Sequence, residues 1–152
     1  MAEKVASQIT FEMGQIDQLL AAYAKLWARV QARTPDLVEL TAIASVLHSF
    51  YNGVENIFLS VAKGVDQRVP SGVQWHRDLL LQMTEETTNR RGVIPTEFVP
   101  QLADYLGFRH FYRHSYSFFL DWEEMKSLVI SLPEVWERTK KALQEFLDSV
   151  SP

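Results

Sequence analysis

Residues 40–61 read LTAIASVLHSFYNGVENIFLSV. Within them Leu40, Ile43, Leu47, Phe50, Val54, Ile57 and Val61 follow one another at alternating steps of three and four. That spacing is the seam of a helix packing at a shallow angle against a neighbour. Upstream, Val5, Ile9, Met13, Ile16, Leu19, Leu20, Tyr23, Leu26, Trp27 and Val30 keep the same steps and predict one long amphipathic helix. Thr34-Pro35-Asp36 should stop it near Arg33, because a proline ring cannot continue the backbone ladder.

Downstream, Gly64, Pro70 and Gly72 mark a loop, and Trp75, Leu79, Leu80 and Met83 predict a short helix. The polar run from Thr87 to Gly92 reads as a connection. A helix opening near Thr96 or Val99 tolerates Pro100 in its first turn and meets a candidate kink at Gly107. Asp121 is a candidate N-cap, with Glu123 and Glu124 in the following turn. Leu132-Pro133 should break the chain again before a last helix carrying Val135, Trp136, Thr139, Leu143, Phe146 and Leu147. No strand pattern or internal repeat stands out. The expected architecture is an all-α, up-and-down bundle of about five helices, one domain over residues 1–152.

The chain is 47% hydrophobic and 22% charged, which argues against disorder, and its formal net charge of −4 argues against indiscriminate coating of nucleic acid. It contains no cysteine, which excludes disulfides, thiolate catalysis and Cys-ligated zinc. The start of the chain is amphipathic rather than leader-like, and no run of about 18 apolar residues appears. A cytoplasmic protein without membrane attachment is expected.

Chemistry is densest in Arg109-His110-Phe111-Tyr112-Arg113-His114-Ser115-Tyr116. Projected as one helix at about 100° per residue, residues 108–119 place Phe108, Phe111, Tyr112, Ser115, Phe118 and Phe119 on one arc. Arg109, His110, Arg113, His114, Tyr116 and Ser117 take the other. The simple expectation is aromatics inside and a cationic face outside. An ordinary solvated face mixes charge signs to gain i,i+4 pairs. No carboxylate lies between Asp104 and Asp121, so this one repels itself until an anion or a partner arrives.

Arg109, four residues, His114, one residue, Tyr116 resembles the Arg-x4-His-x-Tyr signature of HepT-like toxins in the HEPN superfamily of ribonucleases. Gly107-Phe108-Arg109-His110 also resembles the Gly-Phe-Arg-polar run common there, although His110 stands where Asn or Asp is frequent. The resemblance implies the toxin of a type II or type VII-like HEPN/MNT toxin–antitoxin system: a metal-independent endoribonuclease without cofactor, acting on a tRNA or an mRNA. It further implies a homodimer with a composite arginine and histidine site at the interface. Arg109 and His114 would be catalytic, with His110, Arg113 and Tyr116 contacting substrate. A minimal nucleotidyltransferase antitoxin would neutralise the toxin by attaching AMP to Tyr116. The residue types suit these roles: His114 for proton transfer near neutral pH, Arg109 as a fork for phosphate oxygens. Arg109 and His114 are five positions apart, about 140° on an ideal helix, so one copy aims them apart and two copies about a twofold axis would bring them together.

Two rival readings use the same residues. His110 and His114, four apart, could join His48 in a three-histidine metal site resembling that of DinB-like hydrolases or transferases. His76, the remaining histidine, is then structural or exposed. Alternatively the octet docks a protein partner without catalysis.

Overall fold

The computed structural model describes residues 2–116 and 119–150. They form six α-helices: α1 Ala2–Ala22, α2 Ala24–Ala32, α3 Leu37–Val61, α4 Trp75–Gln82, α5 Val99–Arg113 and α6 Trp122–Val150. Among the described residues the only β pairing is an isolated Thr87–Arg90 bridge, so the fold is all-α. None of the described helices is long and apolar enough to cross a membrane.

Helix α3 is the axis of the bundle. Its start is fixed by a capping box: Asp36 Oδ1 accepts from the Glu39 N–H at 2.8 Å, and Glu39 Oε1 accepts from the Asp36 N–H at 3.1 Å. All seven seam residues from Leu40 to Val61 are buried. Phe50 meets Tyr105 of α5 edge-on at 5.3 Å and Trp136 of α6 at 6.1 Å. On its other side α3 approaches α1 closely: a Cβ added at Gly53 would lie 2.9 Å from Ile16 Cγ1.

Two predicted boundaries are corrected. The first helix is two helices, because Tyr23 (φ −107°, ψ 14°) leaves helical geometry before α2 begins. The apolar stripe continues across this bend, so periodicity conceals it. The second correction is that α6 runs straight through Pro133. A proline leaves the carbonyl four residues earlier without its helical donor, and here that carbonyl is Val129. The indole N–H of Trp27 supplies the missing donor, 2.8 Å from Val129 O, from the helix that the Tyr23 bend redirects. Tyr105 adds a hydroxyl donor to the neighbouring Leu128 carbonyl at 2.7 Å. The expected Asp121 cap is present, accepting from the Glu123 N–H at 3.1 Å, and α5 continues unbroken through Gly107.

The connection between α4 and α5 is clamped rather than merely polar. Arg90, whose side chain is fully buried, donates to Asp66 at 2.6 and 2.9 Å and to the carbonyls of Glu85 and Gln82 at 2.6 and 3.0 Å. Burial pushes the Asp66 carboxyl up, but the bonds from Arg90 and Gln82 prevail and hold it below the ordinary range.

Candidate functional site: a polar array between α3 and α5

Helix α5 buries Val99, Leu102, Tyr105 and Arg109, a single stripe stepping by three, three and four. Arg109 therefore occupies a core position, 2% exposed. This overturns the expected division of α5 into an aromatic interior and a cationic exterior. Of the aromatics, Phe111 is exposed, while Phe108 and Tyr112 are half-buried at the edge of the core and stack on each other with centroids 6.1 Å apart.

The reason lies on the facing helix. α3 presents His48, Asn52 and Glu55, polar residues at steps of four and three, to the place where Arg109 enters. Arg109 Nη1 donates to Asn52 Oδ1 at 2.9 Å and Nη2 to Glu55 Oε2 at 2.9 Å. Its guanidinium carbon lies 5.0 Å from the centroid of the buried Tyr51 ring. A buried cation needs this kind of pairing to offset its desolvation. Among the described residues, Arg109 Nε and Tyr51 Oη nonetheless find no hydrogen-bond partner. Burial, and then the Glu55 charge, pushes the Tyr51 phenol well above its ordinary range.

His76, half-buried on α4, stacks on Trp75 at 3.7 Å and places Nδ1 2.8 Å from Glu55 Oε2. Arg109 Nη2 lies 3.0 Å from the same Nδ1, so that nitrogen faces a carboxylate acceptor and a guanidinium donor at once. The expected self-repulsion of the octet is thus relieved by a carboxylate from another helix.

Arg113, one turn beyond Arg109, is exposed. Its Nη2 donates to the same Asn52 Oδ1 at 3.2 Å, and its Nε lies 3.3 Å from His48 Nε2. Asn52 Nδ2 stands 3.4 Å from His48 Nδ1. Burial lowers the His48 pKa, with Arg113 and then Arg109 adding to the effect, so the ring favours its neutral form.

The helix ends at Arg113, and His114 closes it with φ −114° and a backbone bond to Phe111 O at 3.1 Å. The wheel drawn over residues 108–119 therefore fails beyond its middle. Tyr116, 72% exposed, does not share a helical face with Arg109. Ser117 and Phe118 lie outside the described residues. His110 and His114 are both exposed, with ring centroids 4.6 Å apart. Arg109 and His114 do diverge, one inward and one outward.

The three-histidine metal constellation does not assemble: His48 faces Arg113 and Asn52. Among the described residues no three His, Cys, Asp or Glu side chains group as a metal site. Sequence reasoning missed Tyr51, Asn52 and Glu55. A signal was present in the triplet His48, Asn52 and Glu55, whose Glu55 falls next to Val54 on the apolar side of the helix and away from the exposed polar stripe of Thr41, Ser45, Ser49 and Asn56.

A family model described as HepT-like protein matches residues 42–150, which takes in every residue of the array. Comparisons with curated proteins and with solved structures each give no significant match. With that match spanning more than half of its length and the Arg109-x4-His114-x-Tyr116 motif within it, the chain belongs to the HepT-like family of the HEPN superfamily.

Proposed function

We propose that this chain is the toxin of a HEPN/MNT toxin–antitoxin pair, a metal-independent endoribonuclease neutralised by a nucleotidyltransferase that attaches AMP to Tyr116. The observation that carries the reading is the family match across an array that gathers Arg109, Arg113 and His48 beside the exposed His110 and His114.

Cleavage without a metal has the ribose 2′-oxygen attack phosphorus while the 5′-oxygen leaves, giving a 2′,3′-cyclic phosphate and a 5′-hydroxyl. One group must take the 2′ proton, another must supply a proton to the leaving oxygen, and cations must meet the charge on the phosphoryl oxygens. His114 exchanges protons, and His110 and Arg113 contact the substrate. Arg109, whose charge Glu55 already meets, positions Asn52 and through it Arg113, the cation left facing the phosphate. A second copy about a twofold axis completes the site with its own arginine and histidine. Phe111, Tyr116 and Phe119 are exposed around the end of α5 and give such a contact apolar area to bury. AMP on the exposed Tyr116 adds negative charge and bulk just past the end of α5, where it would repel an RNA backbone.

The test is induced expression of the wild-type chain beside Arg109→Ala and His114→Ala, with growth followed and total RNA resolved on a gel. Arrest with fragmented RNA in the wild type alone is the expected result. Intact RNA in all three cultures, with soluble and unmodified wild-type protein, overturns the nuclease reading and leaves the array as a docking surface.

A further inference from the structure

Outside the array, polar side chains that the fold does not use gather between α1 and α3. The exposed residues Lys4, Gln8, Phe11, Gln15 and Gln18 recur along α1 at steps of four and three, so they share one face of that helix. Across from them, α3 and the turn after it carry Ser49, Asn52, Asn56, Ser60 and Lys63 at the same steps. Between the two stripes lie a cavity of about 420 Å³, walled by Glu12, Gln15, Gln18, Ser49, Asn52 and Asn56, and one of about 470 Å³, walled by Lys4, Gln8, Asn56, Ser60 and Lys63. Asn56 belongs to both. They therefore form one groove, about 20 Å long from Ser49 to Lys63 at the rise of a helix. Its floor is closed, since an added Cβ at Gly53 would strike Ile16 and one at Gly64 would strike Val5.

The chemistry of the walls says what the groove suits. A solvated helix face mixes acids and bases, as the exposed Glu134, Glu137, Arg138, Lys141 and Glu145 of α6 do. The groove offers amides and hydroxyls instead. Among the described residues the side chains of Gln8, Gln15, Gln18 and Ser49 have no hydrogen-bond partner, and Lys4 and Lys63 have no ion pair. An amide donates and accepts at once, which matches the edge of a nucleobase. Glu12, which accepts from Asn56 Nδ2 at 3.4 Å, is suited to accept from a base amino group and repels phosphate. Phe11, 63% exposed in the middle of the α1 stripe, presents a ring for a base to stack on. The two lysines stand at the end away from Asn52, and Asn52 joins the groove to the array, because its Oδ1 accepts from Arg109 at 2.9 Å and from Arg113 at 3.2 Å.

We propose that the α1–α3 groove is a track for single-stranded RNA leading away from the cleavage site. Unstacked bases turn inward onto Phe11 and the amides of Gln15, Gln18 and Asn56, and the backbone stays outward, with one of its phosphates meeting Lys4 and Lys63. The track rests on the ribonuclease reading for its purpose, but its binding chemistry does not depend on that reading. It also gives an acidic chain a way to hold RNA without a broad basic surface, by bases rather than by phosphates.

The experiment follows the anisotropy of a fluorescein-labelled 2′-O-methyl oligoribonucleotide, which cannot be cleaved, on titration with the full chain. Expected is saturable binding of the single strand, with the same sequence as a duplex bound about tenfold more weakly because its bases stay stacked. Phe11→Ala, and separately Gln15→Ala/Gln18→Ala, should each weaken binding by about tenfold, whereas Phe11→Tyr, which keeps the ring, should bind as wild type. Lys63→Gln should lower the slope of log affinity against log salt by about 0.7, one phosphate contact on a single strand. All of these side chains are exposed, so the far-UV spectra should not change. No saturable binding, equal binding of duplex and single strand, or wild-type affinity in Phe11→Ala and in the glutamine double variant would overturn the track, the last of these leaving the groove to a protein partner. Binding with the expected pattern by a chain that cleaves no RNA removes the nuclease reading and leaves the track standing. RNA cleavage by a chain whose groove variants bind unchanged removes the track alone.

Discussion

Arg109 Nη2 and Glu55 Oε2 lie 2.9 Å apart with their side chains 2% and 8% exposed, so the motif arginine is one half of a buried ion pair that ties α5 to α3. Removing one partner of such a pair leaves an uncompensated charge in the interior, at a cost of about 3–5 kcal/mol. Glu55→Ala is therefore expected to lower the unfolding free energy by that amount, read from the urea midpoint and slope, and Glu55→Gln by less, because the amide oxygen still accepts from Arg109. A Glu55→Leu/Arg109→Met double substitution should recover much of the loss, since neither charge is then stranded. Equal stability of Glu55→Ala and wild type would mean that Arg109 finds water or another partner in solution.

This pair also marks where the sequence stops being legible. The helical seam from Leu40 to Val61 depends on neighbours three and four residues away, and the Asp121 cap on the turn that follows it, which is why both could be read from the sequence. The burial of Arg109 depends on Glu55, 54 residues earlier. The lack of carboxylates between Asp104 and Asp121 is true of the chain but not of the space around it. The bend at Tyr23 was hidden for the opposite reason: the apolar stripe is locally unbroken, and the Trp27 bond made by the redirected helix reaches a carbonyl 102 residues away. The motif itself lies at the end of α5, while the partners that orient Arg109 come from α3 and α4.

Tyr116 is 72% exposed at the end of α5, accessible to a modifying enzyme. If AMP on this phenol neutralises the toxin, Tyr116→Phe should arrest growth equally with and without the nucleotidyltransferase. The mass of the wild-type chain should rise by one adenylate only when both are expressed with ATP, and that of the variant should not. Rescue of cells expressing Tyr116→Phe would assign neutralisation to binding instead.

His48 gives the fold a pH dependence with a defined sign. Its folded pKa lies below the unfolded value of about 6.5. Between the two values the unfolded chain holds the proton and the folded chain does not, so this contribution to stability is complete above about pH 6.5 and is lost as pH falls through the folded pKa. Denaturant midpoints measured at pH 7.5, 6.5 and 5.5 should decline more steeply for wild type than for His48→Gln. Parallel declines would place the acid sensitivity in other groups.

Pro133 and Trp27 make a sharper test, because the bond between Trp27 Nε1 and Val129 O exists in answer to a missing donor. Trp27→Phe keeps most of the ring but leaves a buried carbonyl unsatisfied, which costs about 1–3 kcal/mol beyond the packing change. In a Pro133→Ala background residue 133 regains its N–H, and Val129 O receives the helical bond four residues on. The penalty of Trp27→Phe should then shrink, so that the double-mutant cycle shows a coupling of about 1 kcal/mol between side chains 106 positions apart in the sequence. Additive effects would mean that the proline-interrupted carbonyl is satisfied by water, and that Trp27 holds α2 against α6 through packing alone.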